Sequence, residues 1–223
     1  MNILLFGATG MVGQGALREC LLAPDVTRVQ TVDRRASGPP HARLTELLHQ
    51  DLFDCRAIEA ELSHFDACFY CIGVSSAGMG EAQYTGLTHD MTLAVADTLA
   101  RLNPQMTFVY VSAAGANSSE AGRSMWARVR GRTENALQQL PFKAAYMLRP
   151  GIIQPLHGIR SRTAAYRWLY ILSAPLLPLL RRLLPDTVLS TEILGRAMLA
   201  LARRGGPGPV LEAADIRALG RAA

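Results

Sequence analysis

The sequence predicts an α/β protein built on a doubly wound parallel sheet. Three observations carry that prediction. Short apolar runs alternate with helix-period stretches from the first residues to Gly151. The runs are continuously apolar, as strands covered on both faces must be. A glycine-rich turn, "GATGMVG", joins the first run to the first helix. Strand and helix alternating in this way make parallel βαβ units.

The elements follow in order. "NILLFG" is the first buried strand, and "ATGMVGQGALRECLLA" turns into a helix that Pro24 stops. "RVQTVD" is the second strand, and a third, short one is expected around Leu47–His49. "AIEAELSHF" reads as helix and "DACFYCIG" as the fourth strand. "LTHDMTLAVADTLARL" carries apolar residues at helical spacing up to Asn103-Pro104. "QMTFVYVSAAGA" is a fifth strand running into a loop of small residues. A helix of roughly 125–140 and a sixth strand, "AAYMLRPG", come next. Beyond Gly151 the pattern changes. "YRWLYILSAPLLPLLRRLLP" is apolar nearly all round but broken by Arg167, Pro175 and Pro178, so no transmembrane span is expected. "TEILGRAMLALARR" is an amphipathic helix closed by Gly205-Gly206, and "PVLEAADIRAL" a last strand and short helix. The whole of 1–223 reads as one domain, with 152–185 as a substrate-side or interface insertion.

At 223 residues the chain can bury a substantial core without disulfides or metal. Its formal charge of +5 hides an asymmetry. Residues 1–111 hold 7 basic and 12 acidic residues, a net −5, and residues 112–223 hold 16 and 6, a net +10. All the basic residues but Lys143 are arginine, whose planar fork suits phosphate and carboxylate. The basic half fits either solvated helix faces or an anionic small-molecule ligand. No dense basic run with interleaved aromatics occurs, so nucleic acid is not expected as a partner.

Four cysteines occur, Cys20, Cys55, Cys68 and Cys71. The last two form a CxxC inside an apolar strand, where odd spacing sends the side chains to opposite faces. Buried thiols, not a metal site or redox pair, are therefore expected. With the glycine motif starting almost at Met1, this predicts a reducing cytoplasm.

The chemistry starts at Gly7, Gly10 and Gly13. One glycine makes the tight turn, one lets the backbone approach a pyrophosphate, and one lets helix and strand pack closely. The helix start then offers amide N–H groups to the phosphates, so Thr9, Met11 and Val12 join the candidate cradle. Asp33 ends the second strand 20 residues past Gly13, where an acid can bind a ribose diol. Arg34 follows it and would suit a 2′-phosphate, so the residues predict NAD or NADP without choosing firmly.

At these residues the chain resembles the short-chain dehydrogenase/reductase superfamily, and most closely its small atypical, epimerase-like NAD(P)-binding members with a Rossmann sheet. "HQDLFD" resembles the segment in which Asp51 and Leu52 border the adenine. "CIG", residues Cys71, Ile72 and Gly73, resembles the fourth-strand end that lines the cofactor. "VSAAGA" resembles the fifth-strand end that carries a catalytic Ser or Thr, which offers Ser112, or Ala113 in another register. "LRPGII" resembles the turn beside the nicotinamide and implies Pro150 and Ile152 as contacts. In that superfamily the following helix carries Tyr-x-x-x-Lys. The matching pair in "SMWARVRGR" is Trp126 and Arg130, a departure, because an indole N–H cannot serve as the titrating phenol. Arg130 can still hold a nicotinamide ribose, with Arg128 and Arg132 expected to face away. Tyr84, Tyr110, Tyr146 and His157 remain as other proton donors, with Tyr110 and Tyr146 expected in the core.

The resemblance implies an NAD(P)-dependent oxidoreductase or epimerase acting on a small molecule held near the fifth and sixth strand ends. The missing Tyr leaves a second reading, a non-catalytic dinucleotide-binding sensor or scaffold. Peripheral membrane contact through the apolar 166–185 run is a third, although burial in the protein's own core is the first expectation for that run, ahead of a pocket lid or a homodimer face.

Overall fold

A computed structural model describes residues 1–38, 40–159 and 188–222. The apolar run at 166–185 therefore lies outside the described residues, as does most of the expected 152–185 insertion. The central sheet has seven strands: β1 (Asn2–Phe6), β2 (Arg28–Asp33), β3 (Leu44–Leu48), β4 (Ala67–Tyr70), β5 (Thr107–Val111), β6 (Ala144–Arg149) and β9 (Val210–Glu212). Their order is β3-β2-β1-β4-β5-β6-β9 and every pairing is parallel. The chain leaves β1 toward β2 on one side and returns to β4 on the other. The β1–β4 boundary is thus the topological switch point, where open α/β sheets bind ligands.

Side-chain alternation divides the interior in two. Ile3 and Leu5 of β1 and Phe69 of β4 face a core closed by α1 (Met11–Leu22) and α5 (Thr191–Arg204). Leu4 and Phe6, with Tyr70, Phe108 and Tyr110, face a second core beneath α3 (Met91–Leu102) and α4 (Met125–Gln138). The continuous apolar runs read in the sequence are these strands, buried on both faces. A last helix, α6 (Ala213–Arg221), opens with a capping box between Glu212 and Asp215.

Several expected elements differ in detail. β3 occupies Leu44–Leu48, not Leu47–His49, because it pairs with β2 from Val29–Leu44 to Asp33–Leu48. It is an edge strand, and exposed Thr45 and Glu46 interrupt its apolar signal. The helix expected in "AIEAELSHF" is a seven-residue 3-10 helix, Arg56–Leu62. It buries Ile58 and Leu62 only, and so short an anchor suits the tighter winding. The helix before β5 starts earlier than expected. It comprises α2 (Glu81–Thr85), a π-helical turn at Gly86–Asp90, and α3. Two three-residue strands, β7 (Ile152–Gln154) and β8 (Val188–Ser190), pair in parallel as a small second sheet that the sequence did not suggest.

Ion pairs join the two halves of the chain. Arg128, Arg196 and Arg203 of the basic half meet Glu81, Glu19 and Asp25 of the acidic half. Cys68 and Cys71 pack against opposite cores, as their odd spacing predicted, and all four thiols are unpaired.

Candidate dinucleotide site

The site grows from the end of β1. Gly7 takes φ +81°, a conformation that L side chains rarely adopt, and turns the chain out of the strand. Its carbonyl accepts the Gly10 N–H at 3.0 Å, closing the turn. A Cβ at Gly13 would lie 2.0 Å from the Gly7 carbonyl oxygen, so helix and strand touch there through backbone. A Cβ at Gly10 would meet only that same oxygen, at 3.3 Å, and otherwise project into open space. Gly10 is the N-cap of α1, and no side chain caps the helix start. The first turn holds no acid either. Uncapped amides, a helix dipole and an open approach at Gly10 make a cradle suited to a pyrophosphate.

Asp33 stands beside this turn, 8% exposed. Its Oδ2 accepts the Ala8 N–H at 3.0 Å and its Oδ1 accepts the Thr9 hydroxyl at 3.3 Å. The expected ribose ligand is therefore also a brace of the glycine turn. Burial pushes its pKa up to about 6, against the pull of the Ala8 and Thr9 donors. The folded state thus holds the proton more tightly than the unfolded chain. Stability from this group falls as pH rises from its ordinary value of 3.8 to about 6, and is level above that. Arg34 is exposed, with its carbonyl accepting from the Gln50 side chain.

The residues expected at the adenine end separate. Asp51 is exposed and its carboxylate accepts the Phe53 N–H at 2.9 Å, whereas Leu52 is buried in the second core. At the end of β4, the Cys71 N–H donates to the Phe6 carbonyl at 2.9 Å, which fixes Cys71, Ile72 and Gly73 alongside the glycine turn. Pro150 is buried and its carbonyl accepts the Ala114 N–H, while Ile152 is 45% exposed on β7.

On α4 the arginines divide as their spacing predicts. Arg128 pairs with Glu81 and donates to the Gly122 carbonyl, and Arg132 reaches Glu120. Arg130 turns the other way. Its Nη2 lies 3.8 Å from where a Cβ of Gly73 would be, over the end of β4. Trp126 is half-buried, its Cη2 3.2 Å from the Cβ position of Gly115, which itself has φ +87°. Its ring lies against the loop after β5 and has no titratable group to offer.

Ser112 directly follows β5. It is 5% exposed, and its hydroxyl donates to Glu134 at 2.5 Å. Glu134 is fully buried and also accepts from Arg149, which reaches on to Glu212 and Ser118. Nothing in the spacing of the sequence paired Ser112 with Glu134, twenty-two residues on. A buried acid on the inner face of α4, facing an arginine at the end of β6, was the available signal. Of the other named proton donors, Tyr84 meets Arg130 and three lie elsewhere. Tyr110 is core, Tyr146 accepts the Gly206 N–H, and exposed His157 contacts Glu192. Among the described residues no cluster could hold a metal ion, and no helix is long and apolar enough to cross a membrane.

The NAD dependent epimerase/dehydratase family model matches residues 3–130. The mitochondrial protein fmp52 of Emericella nidulans is 33% identical over 159 residues, covering 68% of this chain and 66% of that protein. The Bordetella bronchiseptica enzyme WbmF, solved with NAD+, superposes with a TM-score of 0.67 at 18% identity, covering 97% of this chain and 76% of that one. UDP-glucose 4-epimerase of Thermotoga maritima, solved with UDP-glucose, gives 0.67 at 14% identity, covering 100% and 82%. At those identities the two structures share the fold. The expected cytoplasmic location is corrected by the curated relatives, which are named as mitochondrial proteins in several fungi. Buried free thiols suit any compartment that keeps them reduced, so the cysteine count could not choose among such compartments.

Proposed function

This chain belongs to the NAD dependent epimerase/dehydratase family, and from that premise we propose that it binds NAD or NADP across the β1–β4 switch point and acts as an oxidoreductase or epimerase on a small molecule. The observation that carries the reading is the uncapped α1 start beneath Gly10, open on the side away from the protein. Gly7, Gly10 and the first-turn amides would hold the pyrophosphate, Asp33 the adenosine ribose, and Arg130 the nicotinamide ribose. A bound nicotinamide would supply or accept hydride. Trp126 cannot move a proton, so in this protein the α4 pair binds and orients rather than doing acid/base work. The 1–223 chain acts as one unit in this reading.

A second reading, a dinucleotide-binding protein without turnover, is favoured by Trp126 and by the engagement of Ser112 with Glu134. Calorimetry with NAD, NADH, NADP and NADPH tests the shared premise, which fails if folded protein binds none of them. Oxidation of bound NADH by a panel of small carbonyl compounds then separates the two readings.

Arg130→Ala is expected to weaken dinucleotide binding about ten- to a hundredfold, the worth of a hydrogen bond from a charged donor. Arg128→Ala, on the same helix but tied to Glu81, should change affinity less than twofold or so by comparison, since it is a rim ion pair.

Cofactor choice should follow Asp33. Above its pKa of about 6 the carboxylate repels a 2′-phosphate. As pH falls through that value the repulsion fades, so affinity for NADP should rise relative to NAD. In Asp33→Asn the slope should be markedly smaller. Titrating both cofactors from pH 5 to pH 8 checks this, and equal slopes in the two proteins would remove Asp33 from the choice.

A further inference from the structure

We propose that Tyr84 is the residue that positions Arg130: its phenol oxygen pins the guanidinium from behind while leaving that charge undiminished for the ligand. The inference rests on the reading of Arg130 as the nicotinamide-ribose residue, and it assigns a role to a side chain on a different element.

Tyr84 sits on α2 and is 1% exposed. Its hydroxyl oxygen accepts from Arg130 Nε at 3.0 Å. Nη2, which shares the Nε edge of the guanidinium, lies 3.8 Å from where a Cβ of Gly73 would be, at the end of β4. The phenol therefore takes up Nε, and Nη2 beyond it stands at the end of β4. Arg130 also differs from its neighbours on α4 in the chemistry of its partner. Arg128 and Arg132 each meet a carboxylate, and among the described residues Arg130 meets none. A carboxylate behind it would hold the guanidinium just as firmly but cancel much of its field. A neutral phenol supplies the hydrogen bond without the cancelling charge. That undiminished charge is felt by its surroundings. Burial pushes the Tyr110 hydroxyl up to about 12, and Arg130 pulls the other way.

The backbone explains how Tyr84 reaches this place. Glu81 at the start of α2 is anchored to Arg128 on α4. Directly after Tyr84 and Thr85, the helix widens into the π-helical turn at Gly86–Asp90 before resuming as α3. A π-turn shifts the helix register by one residue, and such turns recur at functional sites. Here α2 is offset from α3 and lies on α4, with the ring of Tyr84 buried against Arg130.

The test compares Tyr84→Phe, Arg130→Ala and the double variant, with NAD and with AMP as probes. AMP lacks the nicotinamide ribose, so a local positioning role should leave its affinity intact. Tyr84→Phe removes one oxygen and keeps the ring. It is expected to weaken NAD binding ~3- to 10-fold, to leave AMP binding unchanged, and to add nothing once Arg130 is alanine. Arg130→Lys is a second arm that leaves Tyr84 untouched. A point charge cannot meet the phenol and reach the groove together, so it should weaken NAD and spare AMP likewise. If Arg130→Ala weakens NAD binding and Tyr84→Phe does not, the positioning role is overturned and the cofactor reading stands. Equal losses for AMP and NAD in Tyr84→Phe would make the residue merely structural and also overturn it. If Arg130→Ala leaves NAD affinity unchanged, the reading of Arg130 itself is lost.

Discussion

Gly10→Val is expected to abolish dinucleotide binding while leaving the protein folded. Gly10 has ordinary extended backbone angles, φ −78° and ψ 164°, so valine can adopt them. Within the protein its Cβ would meet only the Gly7 carbonyl oxygen, at 3.3 Å, a contact relieved by a few tenths of an ångström. Its methyl groups would instead fill the space that the pyrophosphate needs. Affinity should fall at least about a hundredfold, a penalty of roughly 2.7 kcal/mol or more, with thermal unfolding close to that of the parent. Gly13→Ala is the contrasting control. Its methyl would stand 2.0 Å from the Gly7 oxygen and 2.8 Å from the Ala8 Cα, both backbone. Helix and strand would have to separate, so here the fold itself should suffer. Calorimetry and thermal unfolding on both variants separate the ligand-facing glycine from the packing glycine. A Gly10→Val protein that binds NAD like the parent would displace the cradle from this turn.

The fold was legible because its signals are local. Continuous apolar runs such as "NILLF" and "TFVYV" suit strands buried on two faces, and three glycines at a strand–helix junction need a reason. The orientation of the α4 arginines was legible too, since residues four apart share a helix face. What the sequence hid depends on partners far along the chain. β7 and β8 are three residues each and find one another across more than thirty positions. The π-turn at Gly86–Asp90 leaves no periodic trace in "GLTHD", and the glycine there reads as a boundary. Asp33 was read as a ribose ligand from its spacing. Its bonds to Ala8 and Thr9, which make it a brace as well, could be seen only in three dimensions. The basic second half left solvated faces or an anionic ligand open, and three of its arginines meet acids of the first half.

Glu134 gives the second large effect, and it bears on whether Ser112 does chemistry. Glu134→Ala is expected to lower stability by about 3–5 kcal/mol, the cost of removing one member of a buried ion pair. Arg149 is 12% exposed and would keep only its links to Glu212 and Ser118 at the rim. Ser112 would lose its acceptor at the same time. Ser112→Ala should cost less, about 1.5–3 kcal/mol for one hydrogen bond to a charged group, and should leave NAD affinity unchanged. A catalytic serine would behave in the opposite way, losing turnover without losing stability. The two roles therefore predict different columns of the same experiment: urea unfolding midpoints on one side, cofactor affinity and NADH oxidation on the other. An unaltered midpoint in Ser112→Ala together with lost turnover would return the hydroxyl to the reaction. The expected pattern, a shifted midpoint in both variants with binding intact in Ser112→Ala, assigns Ser112, Glu134 and Arg149 to the joint that locks α4 onto β5 and β6. That joint lies one helical turn beyond Arg130 on α4 and shares no hydrogen bond with it, so binding and stability are read separately.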